Sequence, residues 1–177
     1  GPAIERAARR GDAGEIQLPR PLKGADHCHF SFSGLKTALA VKLKQLGGVE
    51  QAPIHHLAAS LQAAIADCLA DRSQKAMRQF AVDYLADSLE TKPVLVVAGG
   101  VAANKYIFEQ LADTAANNSF CLSVPPANLC TDNAAMIAWA GIKRFKKNLL
   151  NNIDFEAKSR WPLDENAPYM KGPGLKL

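Results

Sequence analysis

The chain has 177 residues, 48% hydrophobic and 7% aromatic, and a formal net charge of +4. That composition excludes a disordered or fibrous polymer and suits one domain with a sizeable core. No apolar run approaches the ~20 residues of a membrane span, and no basic-then-apolar leader opens the chain, so no membrane association is expected.

Gly1 to Arg10 suits a short amphipathic helix with Ile4 and Ala8 turned inward. Residues 11–28 hold glycines and two prolines and read as loop. Phe30-Ser-Phe-Ser33 suits a short extended piece. Ser33 is then a natural N-cap for a helix with Leu35, Ala38, Leu39, Leu43 and Leu46 on one face, ended by Gly47-Gly48. Pro53 fits the first turn of the next helix. Ile54, Leu57, Ala58, Leu61, Ala64, Ile65, Cys68 and Leu69 form a helical stripe. Ala76, Phe80, Tyr84 and Leu85 continue it to about residue 89, as two helices or as one bent near Asp71–Ser73.

Val94–Ala98 is apolar and β-branched, the pattern of a strand buried on both faces. Residues 102–115 follow as helix, stopped by Asn117-Asn118. Phe120–Val124 is a second strand, ended by Pro125-Pro126. Residues 132–147 read as helix, finishing in Lys143, Arg144, Lys146 and Lys147, cations that suit a helix C-terminus. The last thirty residues have no lasting period.

Lys and Arg outnumber acids over 1–49 and 121–177, and acids prevail over 50–120. Basic ends permit contact with nucleic acid without demanding it. Cys28, Cys68, Cys121 and Cys130 form neither a CxxC pair nor a disulfide framework, so a reducing cytoplasm is the expected setting.

Two segments carry candidate chemistry. In Val94-Leu-Val-Val-Ala-Gly-Gly-Val-Ala-Ala-Asn104 a strand ends at two glycines and a helix begins. Glycine lets a ligand approach the main chain, and a helix N-terminus favours an anion. Gly99 and Gly100 are therefore candidate nucleotide contacts, and Asn104, one turn into the helix, a candidate partner for ribose or base. The bland alternative is a tight turn. Cys130-Thr-Asp-Asn-Ala-Ala-Met136 opens a second helix, so the two N-termini could face one site. Thr131, Asp132 or Asn133 could be its N-cap, or Asp132 could aim a carboxylate at a cation whose other ligands lie elsewhere. Phe30–Thr37 offers two serine hydroxyls, a glycine and a lysine for phosphate or substrate, or a plain capped helix. His27-Cys28-His29 is weak as a metal trio, because neighbours in an extended loop point in opposite directions. No HExxH, nucleophile elbow or P-loop is present.

Phe30-Ser-Phe-Ser-Gly-Leu-Lys-Thr37, Ala98-Gly-Gly-Val-Ala-Ala-Asn104 and Cys130-Thr-Asp-Asn-Ala-Ala-Met-Ile137 become specific in combination. Gly1-Pro-Ala-Ile-Glu5 precedes them and Arg160-Trp-Pro-Leu-Asp164 follows. Over essentially its whole length the chain resembles the C-terminal half of the TsaD family, also called Gcp or YgjD, the tRNA N6-adenosine threonylcarbamoyltransferases. The resemblance implies an α/β fold of the actin/Hsp70/sugar-kinase (ASKHA) type. Residues 1–177 would be a partial second lobe, helix-rich with a small sheet and an irregular tail from about 151 to 177. It implies nucleotide contacts at Gly99 and Gly100, a substrate contact at Asn104 and a metal ligand at Asp132.

The implied reaction moves a threonylcarbamoyl group from its adenylate, threonylcarbamoyl-AMP, to N6 of the adenosine beside the anticodon. A cation held partly by Asp132 would polarise the carbamoyl-phosphate group, and helix N-termini would stabilise the AMP leaving group. One divalent ion, iron or zinc, is implied per full-length subunit. The implied partners are tRNA and TsaB-like, TsaE-like and TsaC-like proteins, in the cytoplasm.

The departures from the family pattern set further expectations. The family's metal-binding HxxxH histidines are absent, as are the acidic and glycine contacts that precede Gly-Pro-Ala-Ile-Glu, and His29 stands where the family has Asp. The first three strands of the second lobe would also lie upstream of Gly1. A fragment without a complete active site is therefore expected, inactive alone and prone to self-associate through an open strand edge. The alternative is a non-catalytic module that binds nucleotide or partners.

Overall fold

A computed structural model describes residues 1–85, 91–131 and 133–154. Five helices and two short strands are assigned among them: α1 Pro2–Ala8, α2 Ser33–Gln45, α3 Ile54–Tyr84, β1 Val94–Val96, α4 Lys105–Asn117, β2 Cys121–Ser123 and α5 Ala134–Lys146. The chain divides into two compact units, Gly1–Asn133 and Ala134–Leu177. No described helix is long and apolar enough to cross a membrane.

The spine of the first unit is α3, a single helix of 31 residues that runs through Asp71–Ser73 as one element. No break falls there because Asp71 and Arg72 turn their side chains onto the 11–28 segment instead of capping a helix end. Residues 57–64 are all buried. A helix covered all round needs small side chains, and this stretch supplies Ala58, Ala59, Ala63 and Ala64. Ala8 of α1 packs on Ala58 and Ala59. Leu35 of α2 packs with Leu61, Ala64 and Leu18. Ile107 and Leu111 of α4 pack on Ala66.

The N-terminal helix is shorter than its pattern, and only Ala8 of the expected inward pair is buried; Ile4 is 41% exposed. At α2 the N-cap is Phe32, not Ser33. Ser33 is already helical and makes no capping bond, its hydroxyl lying 3.3 Å from that of Ser31. Residues 30–33 form no strand. Near the C-terminus of α3 the buried residue is Met77, whereas Phe80 and Tyr84 are exposed. The expected continuation to residue 89 lies outside the described residues beyond Leu85.

β1 and β2 pair in parallel, with Val94 opposite Cys121, Leu95 opposite Leu122 and Val96 opposite Ser123. They flank α4, the order of a β–α–β crossover. Burial alternates: Leu95 and Leu122 pack toward Met77, Ala115 and Phe120. Val94 and Val96 are 54% and 65% exposed. The expectation of a strand buried on both faces is thus overturned, because a two-stranded sheet is covered by helices on one face.

The segment 11–28 has no regular structure, yet it follows α3 residue for residue. Hydrogen bonds join Ser60 to Ala13, Arg20 to Asp67, Cys68 to Pro21, Gly24 to Asp71 and Arg72 to Ala25, each pair 47 positions apart. To keep that step with a helix, the segment must advance only ~1.5 Å per residue, less than half of an extended chain. Left-handed residues at Leu22 and Gly24, with φ of 62° and 81°, coil it to that pitch. Burial, then the adjacent Asp67 carboxylate, pushes the Cys68 thiol up, which keeps it protonated and unsuited to nucleophilic work.

In the second unit α5 ends in Lys143, Arg144 and Lys146 as the sequence suggests, and the Lys143 ammonium lies 4.7 Å from the Trp139 ring centre.

Candidate functional site

The turn between β1 and α4 places the predicted residues Gly99, Gly100 and Asn104 in one short stretch. Gly99 has φ of +85°, a conformation that L side chains rarely adopt. Gly100 has no such φ, and a Cβ added there would meet nothing within 4 Å. Close approach at Gly100 is open to a ligand without any backbone requirement.

Asn104 is the N-cap of α4 and not one turn into the helix. Its Oδ1 accepts from the Ile107 N–H at 3.0 Å, the standard way to satisfy an orphan donor of the first turn. Its Nδ2 donates to Oε1 of Gln62 on α3 at 2.9 Å. Gln62 is only 8% exposed. This residue was invisible to pattern reasoning, because a lone glutamine inside an apolar stripe carries no motif.

Beside this pair lies a cleft of about 560 Å³, lined among others by Glu5, Arg9, Gln62, Lys105, Tyr106 and Glu109. Three segments far apart in sequence form it: the α1 helix and the turn after it, the middle of α3, and the first turn of α4. Close packing brings them together. A Cβ on Gly11 would sit 2.0 Å from the His55 carbonyl oxygen, so the turn after α1 reaches the start of α3 only as glycine. Glu5 joins the other side: Oε1 accepts from the Lys105 N–H at 3.3 Å and from Arg9 at 3.1 Å. A carboxylate at the α4 N-terminus is favoured by the helix dipole. Along α4 itself, one turn on, the Lys105 ammonium lies 3.7 Å from Glu109. Both signs of charge and a buried amide thus meet in one concavity, an arrangement suited to a polar ligand of nucleoside size.

Asp132 lies outside the described residues, so its predicted metal role gains no geometry. Next to it, Asn133 Nδ2 donates to the Thr131 carbonyl at 2.9 Å. Among the described residues no group of three or more His, Cys, Asp or Glu could hold a metal ion. The rings of His27 and His29 lie 5.0 Å apart, tilted by 53°, and the His29 main-chain N–H bonds Nδ1 of His27, so that ring nitrogen is taken up locally. At Phe30–Thr37, Phe30 and Phe32 stack at 6.3 Å.

Residues 1–139 match the family model described as TsaD: tRNA N6-adenosine threonylcarbamoyltransferase. Three proteins named tRNA N6-adenosine threonylcarbamoyltransferase are similar along the chain. The one from Rhodospirillum rubrum is 48% identical over 98% of this chain and 47% of its own length. Those from Zymomonas mobilis and Bartonella bacilliformis are 43% and 46% identical, each over 99% of this chain and over 46% and 49% of their own lengths. The chain therefore spans about half the length of the curated relatives it matches.

Proposed function

The chain belongs to the TsaD family, and from that premise we propose that it serves threonylcarbamoyl transfer from threonylcarbamoyl-AMP to N6 of an adenosine in tRNA. The observation that carries the proposal is the cleft at the α4 N-terminus, where Asn104 is held by Gln62 directly beside a polar concavity. In this reading the cleft takes the nucleoside of the adenylate. Gly99 and Gly100 let the phosphate approach the main chain, and Asn104 contacts the substrate from the cap position. The α4 N-terminus opposes the charge that gathers on the departing AMP.

Glu5 also fits the role of an acceptor for ligand hydroxyls, since its Oε1 is already oriented by Arg9 and the Lys105 N–H. The adenosine N6 amine is the nucleophile. A divalent ion, iron or zinc, is part of the family reading, with Asp132 as the implied ligand. The described residues do not form a site for it, and no step is assigned to it. The TsaB-like, TsaE-like and TsaC-like partners and a cytoplasmic setting belong to the same proposal.

The test is transfer itself. The full-length protein is incubated with its partner proteins, threonylcarbamoyl-AMP and a tRNA bearing the target adenosine, and the tRNA is digested and analysed by mass spectrometry. The expected result is N6-threonylcarbamoyladenosine that disappears with Asn104→Ala. Unmodified tRNA with wild-type protein would reject the function. Full activity in a folded Asn104→Ala variant would reject the site.

A further inference from the structure

We propose that Gln62 is a ligand-binding residue whose amide is locked in one orientation, so that this side chain offers a hydrogen-bond donor, and never an acceptor, to the bound nucleoside. The proposal rests on reading the cleft as the nucleoside site.

The orientation follows from hydrogen-bond complementarity along a short relay. The Ile107 main-chain N–H can only donate, so the atom facing it must be Oδ1 of Asn104. That leaves Nδ2 of Asn104 to face Gln62, and Nδ2 can only donate, so Gln62 must present Oε1 to it. The Gln62 amide is thereby turned with Nε2 away from Asn104. A flipped Gln62 would set two NH2 groups against each other in a buried place.

Nε2 of Gln62 has no partner among the described residues, although the residue is 92% buried by its 8% exposure. The one fully enclosed side-chain polar atom without a partner among the described residues is Nδ1 of His55. The Gln62 nitrogen therefore reaches open space, and the space Gln62 lines is the cleft. A buried amide that is fixed at one end and free at the other is prepaid for binding: its rotamer and polarity are set before the ligand arrives. The matching group is a hydrogen-bond acceptor, such as a purine ring nitrogen or a ribose oxygen. Glu5, also in the lining, supplies the acceptor for ligand hydroxyls. The two side chains thus present opposite polarities, which orient the nucleoside.

The experiment uses adenosine as a neutral probe, titrated calorimetrically into the full-length protein. Gln62→Glu keeps an oxygen for Asn104 Nδ2 but replaces the donor with an acceptor. Adenosine affinity is expected to fall about tenfold or more, with the melting temperature within about 2 °C of wild type. Gln62→Met also removes the partner of Asn104, and is expected to lose both affinity and melting temperature. Unchanged adenosine affinity in folded Gln62→Glu overturns the assignment while leaving the cleft reading in place. Failure of the wild-type protein to bind adenosine overturns the cleft reading, and the assignment of Gln62 with it.

Discussion

The Arg72 guanidinium reaches the carbonyl oxygen of Ala25 at 2.8 Å, from a side chain that is 2% exposed. The same nitrogen donates to the His27 carbonyl, and the rest of the fork pairs with Asp71. A buried arginine thereby ties the irregular 11–28 segment to α3. Arg72→Ala would leave two carbonyls and a carboxylate without their donor. A loss of about 3–5 kcal/mol is expected in urea unfolding, a large share of a small domain's stability. Arg72→Lys should recover only part of it, because an ammonium cannot reproduce the fork. A wild-type midpoint in Arg72→Ala would show that the segment is held by other contacts.

Asp71 makes this anchor pH-sensitive. Burial raises its carboxyl, but the Gly24 N–H, the Arg72 guanidinium and the Lys23 charge outweigh it and hold the group below its ordinary value of 3.8. A carboxyl lowered in the folded state contributes stability that is present above the unfolded value and lost as pH falls through the folded one. Asp71→Asn should therefore be less stable than wild type at pH 6, and the gap should close as pH falls through the high threes and below. Denaturant melts of both proteins from pH 6 to pH 2.5 decide it, and a gap that does not change with pH contradicts the assignment.

Asn104→Ala removes the α4 cap and the partner of Gln62 together. Cap loss costs about 1 kcal/mol, and an unsatisfied Gln62 oxygen adds a further ~1 kcal/mol. Asn104→Asp keeps the cap oxygen and should cost less. Equal unfolding free energies for wild type and Asn104→Ala would mean that the cap bond carries no weight.

The two glycines of the turn should separate strain from ligand access. Gly99→Ala imposes a side chain on φ of +85° and is expected to cost about 1–2 kcal/mol. Gly100→Val meets open space, so the melt should hold while adenylate binding fails. Calorimetric titration with AMP, run beside the melts, tests both. Wild-type affinity in Gly100→Val would remove Gly100 from the site.

Periodicity and composition determined the helices and the β1–α4–β2 order, because apolar spacing at 3.6 and 2 residues and glycine punctuation are local properties of a chain. The combined motifs around Phe30, Gly99 and Asp132 determined the family, since several moderately specific segments in fixed order are jointly rare. Only the tertiary structure decided that Ser33 does not cap α2, that Asn104 does cap α4, and that α3 runs unbroken past Asp71. Gln62 and Arg72 are the sharpest cases. Each is a polar residue on a buried helix, and its meaning depends on a partner 42 or 47 positions away. Hydrogen-bond complementarity between segments distant in sequence leaves no periodic trace, so the walls of the cleft and the strap on α3 emerge only when packing brings those segments together.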